Sequence, residues 1–333
     1  MRVPYQVLAP NDFLSIQDQF AMDVSEGLSS TPKKISSMYL YDEKGSMLFQ
    51  KIADHPDYYP TRCELEILKK YRQRIASILP LKNMQLFELG AGDGEKTITL
   101  LDCLIQNGLK KYSPIDISLY AMDELMKKLD PWMSTVGFQV EGYVSDYFSG
   151  LKHREKSGLV NLVLFLGSNI GNFDHQDCLR FLRRLWHILS AGDYLLIGFD
   201  LKKDPKTLER AYNDSDGITT EFNLNLLERI NRDLGGNFIL DQFAYHSYYN
   251  VARGAVESWL VSRQKQTIQI EGLKKSFPFE AWEGLLTEYS YKYLDSEIEL
   301  LAKETGYNVE ARFQDSQGYF ADYLWRVGKP DQQ

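Results

Sequence analysis

Cysteine is scarce in this sequence. Cys63, Cys103 and Cys178 are the only three in 333 residues, far apart and odd in number. None forms a CxxC pair, so neither a disulfide framework nor a metal site is expected. A reducing, cytoplasmic compartment is the simple expectation. Long apolar runs are also missing, and none reaches membrane-spanning length. The opening Met1-Arg2-Val3-Pro4-Tyr5 lacks the basic region and apolar stretch of a secretion signal. Positive charge is in deficit. Lys and Arg total 38 against 46 Asp and Glu, a net charge of -8 that repels phosphate backbones. The clusters Lys110-Lys111, Lys127-Lys128 and Lys202-Lys203 are too short for a nucleic-acid footprint. Repeats and low-complexity segments are absent.

What remains has ordinary globular composition, 44% hydrophobic and 25% charged, with 21 tyrosines. At 333 residues the chain is long for one core and suggests two domains. Residues 37–42 lead to a turn at Glu43-Lys44-Gly45, an amphipathic run follows from Ser46 to Ala53, and 57–62 read as a proline-punctuated loop. Helical periodicity runs from Glu64 to Leu79. Strand patterns then fall at 84–89, 112–117, 138–144, 161–166 and 193–199, with helical stretches at 96–106, 118–129 and 175–189 between them. Such alternation predicts an α/β fold with a parallel sheet covered on both faces. Ligands of such sheets bind beyond the C-terminal ends of the strands.

After Asp200 the pattern changes. Helical stretches at 204–212 and 221–234 precede an aromatic-rich extended run at 238–250. Residues 256–264 and 265–270 alternate like an antiparallel pair, and strand signals return at 309–314 and 319–327. The expectation is a cofactor-binding domain from 64–199 plus 293–330. A smaller α+β substrate domain, from 1–63 plus 200–292, would cap the sheet.

The first strand runs into Gly90-Ala91-Gly92-Asp93-Gly94. Glycines let a backbone turn sharply and approach a ligand. A glycine triplet alone also fits a plain tight turn. The spacing is GxGxG, with Glu95 where a dinucleotide fingerprint would carry its third glycine, which disfavours a nicotinamide enzyme. Asp116 ends the next strand and can accept both hydroxyls of a ribose, or cap the helix that follows. Asp146-Tyr147 follows the third strand, where the acid could accept an adenine amino group. Three signals in order after three successive strands point to S-adenosylmethionine.

Further stretches stand out: Leu40-Tyr41-Asp42-Glu43-Lys44-Gly45-Ser46, Tyr58-Tyr59-Pro60-Thr61-Arg62, Glu88-Leu89-Gly90, Glu95-Lys96-Thr97, Leu166-Gly167-Ser168-Asn169-Ile170-Gly171-Asn172, Arg210-Ala211-Tyr212-Asn213-Asp214 and Phe222-Asn223, of which those beginning at Tyr58 and Leu166 are far more specific than the glycine loop. With them the chain resembles, over nearly its whole length, the histidine Nα-methyltransferases of ergothioneine biosynthesis. The resemblance implies a Rossmann-like S-adenosylmethionine-dependent methyltransferase sheet and a monomer. It implies three successive methyl transfers to the α-amine of histidine, giving hercynine. The implied cofactor contacts are Tyr41, Gly90, Lys96, Asp116, Asp146 and Tyr147. The implied substrate contacts are Tyr58, Asn172, Tyr212, Glu288 and Ser290, with Gly167 and Asn169 near the amine.

The chemistry suits these residue types. Methyl transfer from a sulfonium is an in-line displacement, so alignment is the main task. The nucleophile is the neutral amine, and no catalytic acid or base is assigned. Glu288 can accept an imidazole N–H and Ser290 can serve the other nitrogen. By spacing alone, Tyr58 reads equally as core, Tyr212 as a surface helix residue, and Glu288 with Ser290 as an exposed strand face. One departure from the family stands out: Ser258 occupies a position where relatives commonly have methionine near the substrate ring. It motivates an alternative substrate, another amino acid or an aromatic amine such as a tryptophan derivative. At Asn169, bacterial relatives often have threonine.

Overall fold

A computed structural model describes residues 5–8, 15–133, 137–153 and 158–329. Two compact units divide the chain. One holds the described parts of Met1–Leu8, Pro60–Lys202 and Tyr291–Gln333. The other holds those of Ala9–Tyr59 and Lys203–Ser290.

The first unit is built on one large sheet. Its strands lie in the order Tyr5–Val7, Gly142–Val144, Lys111–Asp116, Met84–Leu89, Val160–Phe165, Tyr194–Asp200, Phe320–Val327, Tyr307–Gln314, with Gln139–Val140 also on Lys111–Asp116. All pairings are parallel except those of the last two strands, which are antiparallel. The parallel strands are buried almost throughout, as expected where helices cover both faces. The core under them includes Phe87, Val163, Phe165, Phe181, Leu185, Phe199 and Trp325. From Met84–Leu89 the chain winds first one way across the sheet and then, from Val160–Phe165, the other. That reversal opens a crevice beyond the ends of these two strands. Gly90 follows one strand and Gly167 closely follows the other.

The second unit packs helices Ile16–Ser29, Glu43–Asp54, Pro205–Ala211 and Ile218–Leu234 with a four-stranded sheet in the order Lys33–Lys34, Gly284–Tyr291, Ala255–Ser262, Phe243–Asn250. A two-stranded ribbon, Gln266–Ile270 with Lys275–Phe279, completes it.

Several sequence expectations need correction. Residues 5–7, expected in the second domain, add a parallel edge strand to the large sheet, Tyr5 opposite Gly142. Residues 1–4, 9–14, 134–136, 154–157 and 330 of the expected domains lie outside the described residues. Glu43-Lys44-Gly45 is not a turn but the first turn of helix Glu43–Asp54. Asp42 caps it by accepting the Gly45 amide at 2.8 Å, and Gly45 leaves room for the Leu40 carbonyl, where a Cβ would collide at 1.7 Å. The helix expected from Glu64 begins at Tyr59, because Pro60 sits in the first turn, where its missing N–H costs nothing. The strands at 256–264 and 265–270 do not pair with each other. Ala255–Ser262 pairs with Phe243–Asn250, and Gln266–Ile270 pairs with Lys275–Phe279. Alternation reports which face is buried, not which strand is the partner.

Candidate active site

In the first unit the site begins with the glycine loop. Gly90 and Gly94 have φ of 73° and 74°, a left-handed conformation that a side chain resists. A Cβ at Gly90 would lie 3.0 Å from Asn169 Nδ2 and 3.4 Å from the Tyr147 hydroxyl. A Cβ at Gly94 would lie 2.1 Å from Leu125 Cδ1. Gly94 thus brings the loop against helix Leu119–Met133, the packing role that the GxGxxG pattern gives to its third glycine.

Asp116 is held by two backbone amides. Its Oδ1 accepts the Ser118 amide and its Oδ2 accepts the Gly92 amide, each at 2.8 Å. It therefore pins the glycine loop to the segment before the next helix, and the cap of that helix falls to Ser118, whose Oγ accepts the Ala121 amide at 3.2 Å. Burial pushes its carboxyl pKa up, and those backbone donors oppose the push. Each oxygen keeps a further lone pair, so a ribose hydroxyl can still be accepted. Asp146 caps the short helix Tyr147–Leu151, with Oδ1 accepting the Phe148 and Ser149 amides at 3.0 Å. The Tyr147 ring packs edge-on against Phe165 and Phe181. Burial raises its phenol pKa well above the ordinary value, so it stays a neutral hydroxyl.

Across the crevice, Gly167 starts the loop that runs to Asn172. Its amide is held by both carboxylate oxygens of Glu64, at 2.8 and 2.9 Å. A Cβ on Gly167 would meet Lys96 Nζ at 3.2 Å and Asn169 Nδ2 at 3.7 Å. Asn169 itself donates to the Leu166 carbonyl at 2.9 Å, which fixes its amide. Gly90, Lys96, Tyr147, Gly167 and Asn169 therefore gather at the reversal of the sheet, kept clear by two missing side chains. Asp116, at the end of the next strand, and Asp146, two residues past Gly142–Val144, are acceptors of the kind that a ribose and an adenine can use. This donor set fits S-adenosylmethionine.

Sequence reasoning missed the layer beneath. Glu88, in the middle of the site's first strand, accepts the Thr97 and Tyr112 hydroxyls. Burial pushes its carboxyl up to about 7 against the lowering pull of those two donors. Glu64 is fully buried and pairs with Lys96 Nζ at 2.7 Å. Both could have been seen as acids in apolar positions. Glu64 shares the helical stripe of Ile67 and Leu68, and Glu88 lies within a continuous apolar strand.

In the second unit a hydroxyl network gathers several of the expected substrate residues. Tyr212 OH and Ser290 Oγ are 2.6 Å apart. The Tyr212 carbonyl accepts from Tyr245 OH at 2.8 Å and Ser247 Oγ at 3.0 Å. Tyr245 OH and Ser258 Oγ are 3.0 Å apart. The strands Gly284–Tyr291, Ala255–Ser262 and Phe243–Asn250 are neighbours, so Ser290, Ser258 and Tyr245 come from three adjacent strands. Ser258 lies opposite Ser247 in the register. Glu288 is two residues from Ser290, on the same strand face, and its charge acts on Tyr245. Ser258 is thus a hydroxyl partner of Tyr245, a residue that no motif singles out. Tyr58 and Tyr212 are both buried, with their rings 6.0 Å apart, edge to face. Tyr41 packs edge-on against Phe49 and Phe222. Asn172 ends the short 3-10 turn Asn169–Asn172 of the first unit.

The remaining motifs are accounted for by local bonds. Asp214 accepts the Ile218 and Thr219 amides and caps helix Ile218–Leu234. Asn223 accepts the Thr287 hydroxyl at 2.5 Å. Asp42 is bonded by Asn225 at 2.7 Å and Arg232 at 2.9 Å.

The model of the histidine-specific, S-adenosylmethionine-dependent methyltransferases matches residues 20–327. The chain belongs to this family. It is an S-adenosylmethionine-dependent methyltransferase acting on a small molecule. The chain is similar to the histidine N-alpha-methyltransferase of Mycobacterium tuberculosis, at 37% identity over 81% of this chain and 83% of that protein. It is 34% identical to the histidine N-alpha-methyltransferase of Mycolicibacterium smegmatis, over 92% of this chain and 94% of the relative. It also matches ergothioneine biosynthesis protein 1 of Schizosaccharomyces pombe, at 30% identity over 87% of this chain and 38% of that longer protein. Among the described residues no helix is long and apolar enough to cross a membrane, and no acid, His or Cys cluster could hold a metal ion.

Proposed function

We propose that this methyltransferase converts L-histidine to Nα,Nα,Nα-trimethylhistidine (hercynine), the first step of ergothioneine biosynthesis. The observation that carries the reading is the Glu288–Ser290 strand face, with Ser290 already bonded to Tyr212. A carboxylate and a hydroxyl two residues apart on one face can serve the two nitrogens of an imidazole. A ring without nitrogens would offer these two groups no hydrogen-bonding atom, and that favours histidine.

When bound, S-adenosylmethionine supplies an electrophilic methyl group on a sulfonium. In this reading Gly90, Lys96, Asp116, Asp146, Tyr147 and Tyr41 hold that group. Asn172 and Tyr212 hold the α-carboxylate as hydrogen-bond donors. Gly167 and Asn169 lie beside the amine, and Tyr58, Glu288, Ser290 and Ser258 address the ring. None of these side chains needs to act as a strong base. The amine loses its proton to water before each transfer, and the protein's part is to align it. The reading also takes the protein as a cytoplasmic monomer.

The second reading, a different amino acid or a tryptophan derivative, rested on Ser258 as an opening beside the ring. The Ser258–Tyr245 bond speaks against it, since that position is spanned by a hydroxyl pair. Incubation with S-adenosylmethionine and a panel of amino acids distinguishes the two. Turnover of histidine above all others is expected, and preference for another amine would reject the histidine assignment.

A further inference from the structure

Beneath the Gly167 loop lies a pair of acids that the methyl transfer does not use. Asp322 sits in strand Phe320–Val327, fully buried, directly opposite Gly198 on the neighbouring strand. Gly198 has no side chain, and the Glu64 carboxylate fills the gap, since a Cβ there would lie 2.2 Å from Glu64 Oε1. The two carboxyl groups are therefore neighbours in a site without water-exposed surface. Their other contacts are unequal. Glu64 is bonded by the Gly167 amide and by Lys96 Nζ. Neither oxygen of Asp322 has a hydrogen-bond partner of the ordinary donor kind.

Two buried carboxylates side by side cannot both be charged at the cost of one nearby ammonium. Lys96 is the only cation among the groups acting on Asp322, and Glu64 is the other charge. Burial first, and Glu64 second, hold the Asp322 carboxyl well above the usual carboxylate range. A protonated Asp322 can donate to Glu64, which gives its otherwise orphaned oxygens a bond and leaves one net negative charge opposite Lys96.

We propose that Asp322 and Glu64 share one proton, and that the singly charged pair makes Glu64 the positioning residue for Lys96 and the Gly167–Asn172 loop. Glu64 touches neither ligand in this account. It acts through Lys96, read above as a cofactor contact, and through the loop bearing Asn169 and Asn172, so the second half of the proposal rests on that reading. The design explains why an acid occupies the apolar stripe of helix Tyr59–Ile78 and why a glycine faces Asp322 across the sheet.

Two measurements on the full chain test it. Infrared spectroscopy in mildly alkaline buffer, where Glu88 is ionised, should show a protonated-carboxyl C=O band that is lost in Asp322→Asn. Titration calorimetry with S-adenosylhomocysteine should give Asp322→Asn wild-type affinity, because a neutral amide mimics the protonated acid. Glu64→Gln should bind about tenfold more weakly, the equivalent of one charged hydrogen bond. Should Glu64→Gln not fold, Glu64→Asp, which keeps the charge and shortens its reach, replaces it with the same expectation. Absence of the band in the wild type, or wild-type affinity in the Glu64 variant, would overturn the proposal. The infrared arm needs no substrate and is independent of the histidine assignment.

Discussion

Single residues set the chemistry of both units. Ser290→Ala removes the partner of the Tyr212 hydroxyl while leaving the cofactor crevice untouched. The kcat/KM for histidine should fall about tenfold, the value of one buried hydrogen bond left unmade, with S-adenosylhomocysteine affinity unchanged by calorimetry. Lys292 shows a different kind of dependence. Its ammonium is buried against Asp200 at 2.8 Å, and both side chains are shielded from solvent. Lys292→Met would strand the Asp200 charge, so urea unfolding should show a loss of about 3–5 kcal/mol. Lys292 closes the run Glu288-x-Ser290-x-Lys292, which sequence alone read as a surface strand. Alternation placed Glu288 and Ser290 on one face correctly. It could not show that Lys292, just past the end of the strand, is a buried ion-pair member, because burial of a charge depends on a partner remote in sequence, Asp200.

At the level of elements, the glycine loop and its strands were the most legible part of the chain. Parallel strands buried on both faces read as largely apolar runs, and the structure reproduces four of the five within one residue at each end, while the run expected at 138–144 divides into Gln139–Val140 and Gly142–Val144. The exceptions were elements whose partners are remote. The edge strand Tyr5–Val7 is too short to carry a pattern, and the pairing of Ala255–Ser262 with Phe243–Asn250 is a matter of topology. Gly94 shows how tightly the site's first loop is built. Gly94→Ala combines a left-handed φ with a Cβ driven into Leu125. The combined strain and overpacking should lower stability by about 1–3 kcal/mol in chemical denaturation, and cofactor affinity should fall with it.

Over the whole molecule, stability should carry the signature of the buried acid under the cofactor loop. Burial raises the Glu88 carboxyl from an ordinary value of 4.5 to about 7 in the folded chain. A raised acid is favoured in its neutral form by folding. Its contribution is therefore full below about 4.5 and is lost as pH rises through about 7. Relative to Glu88→Gln, which cannot ionise there, the melting temperature of the wild type should fall across that window. A constant difference between the two proteins would remove Glu88 from the account. Fold and cofactor were readable because glycines and strand-end acids recur at fixed places in the winding of such a sheet. The supporting pairs, Tyr245 with Ser258 and Glu64 with Asp322, were not, since each joins residues remote in sequence. The most direct test of the central claim is mass-spectrometric analysis of the product formed from L-histidine and S-adenosylmethionine. The account predicts three methyl groups, all on the α-nitrogen, with the imidazole unmodified. A methyl group on the ring, or histidine recovered unchanged beside another methylated amino acid, would contradict it.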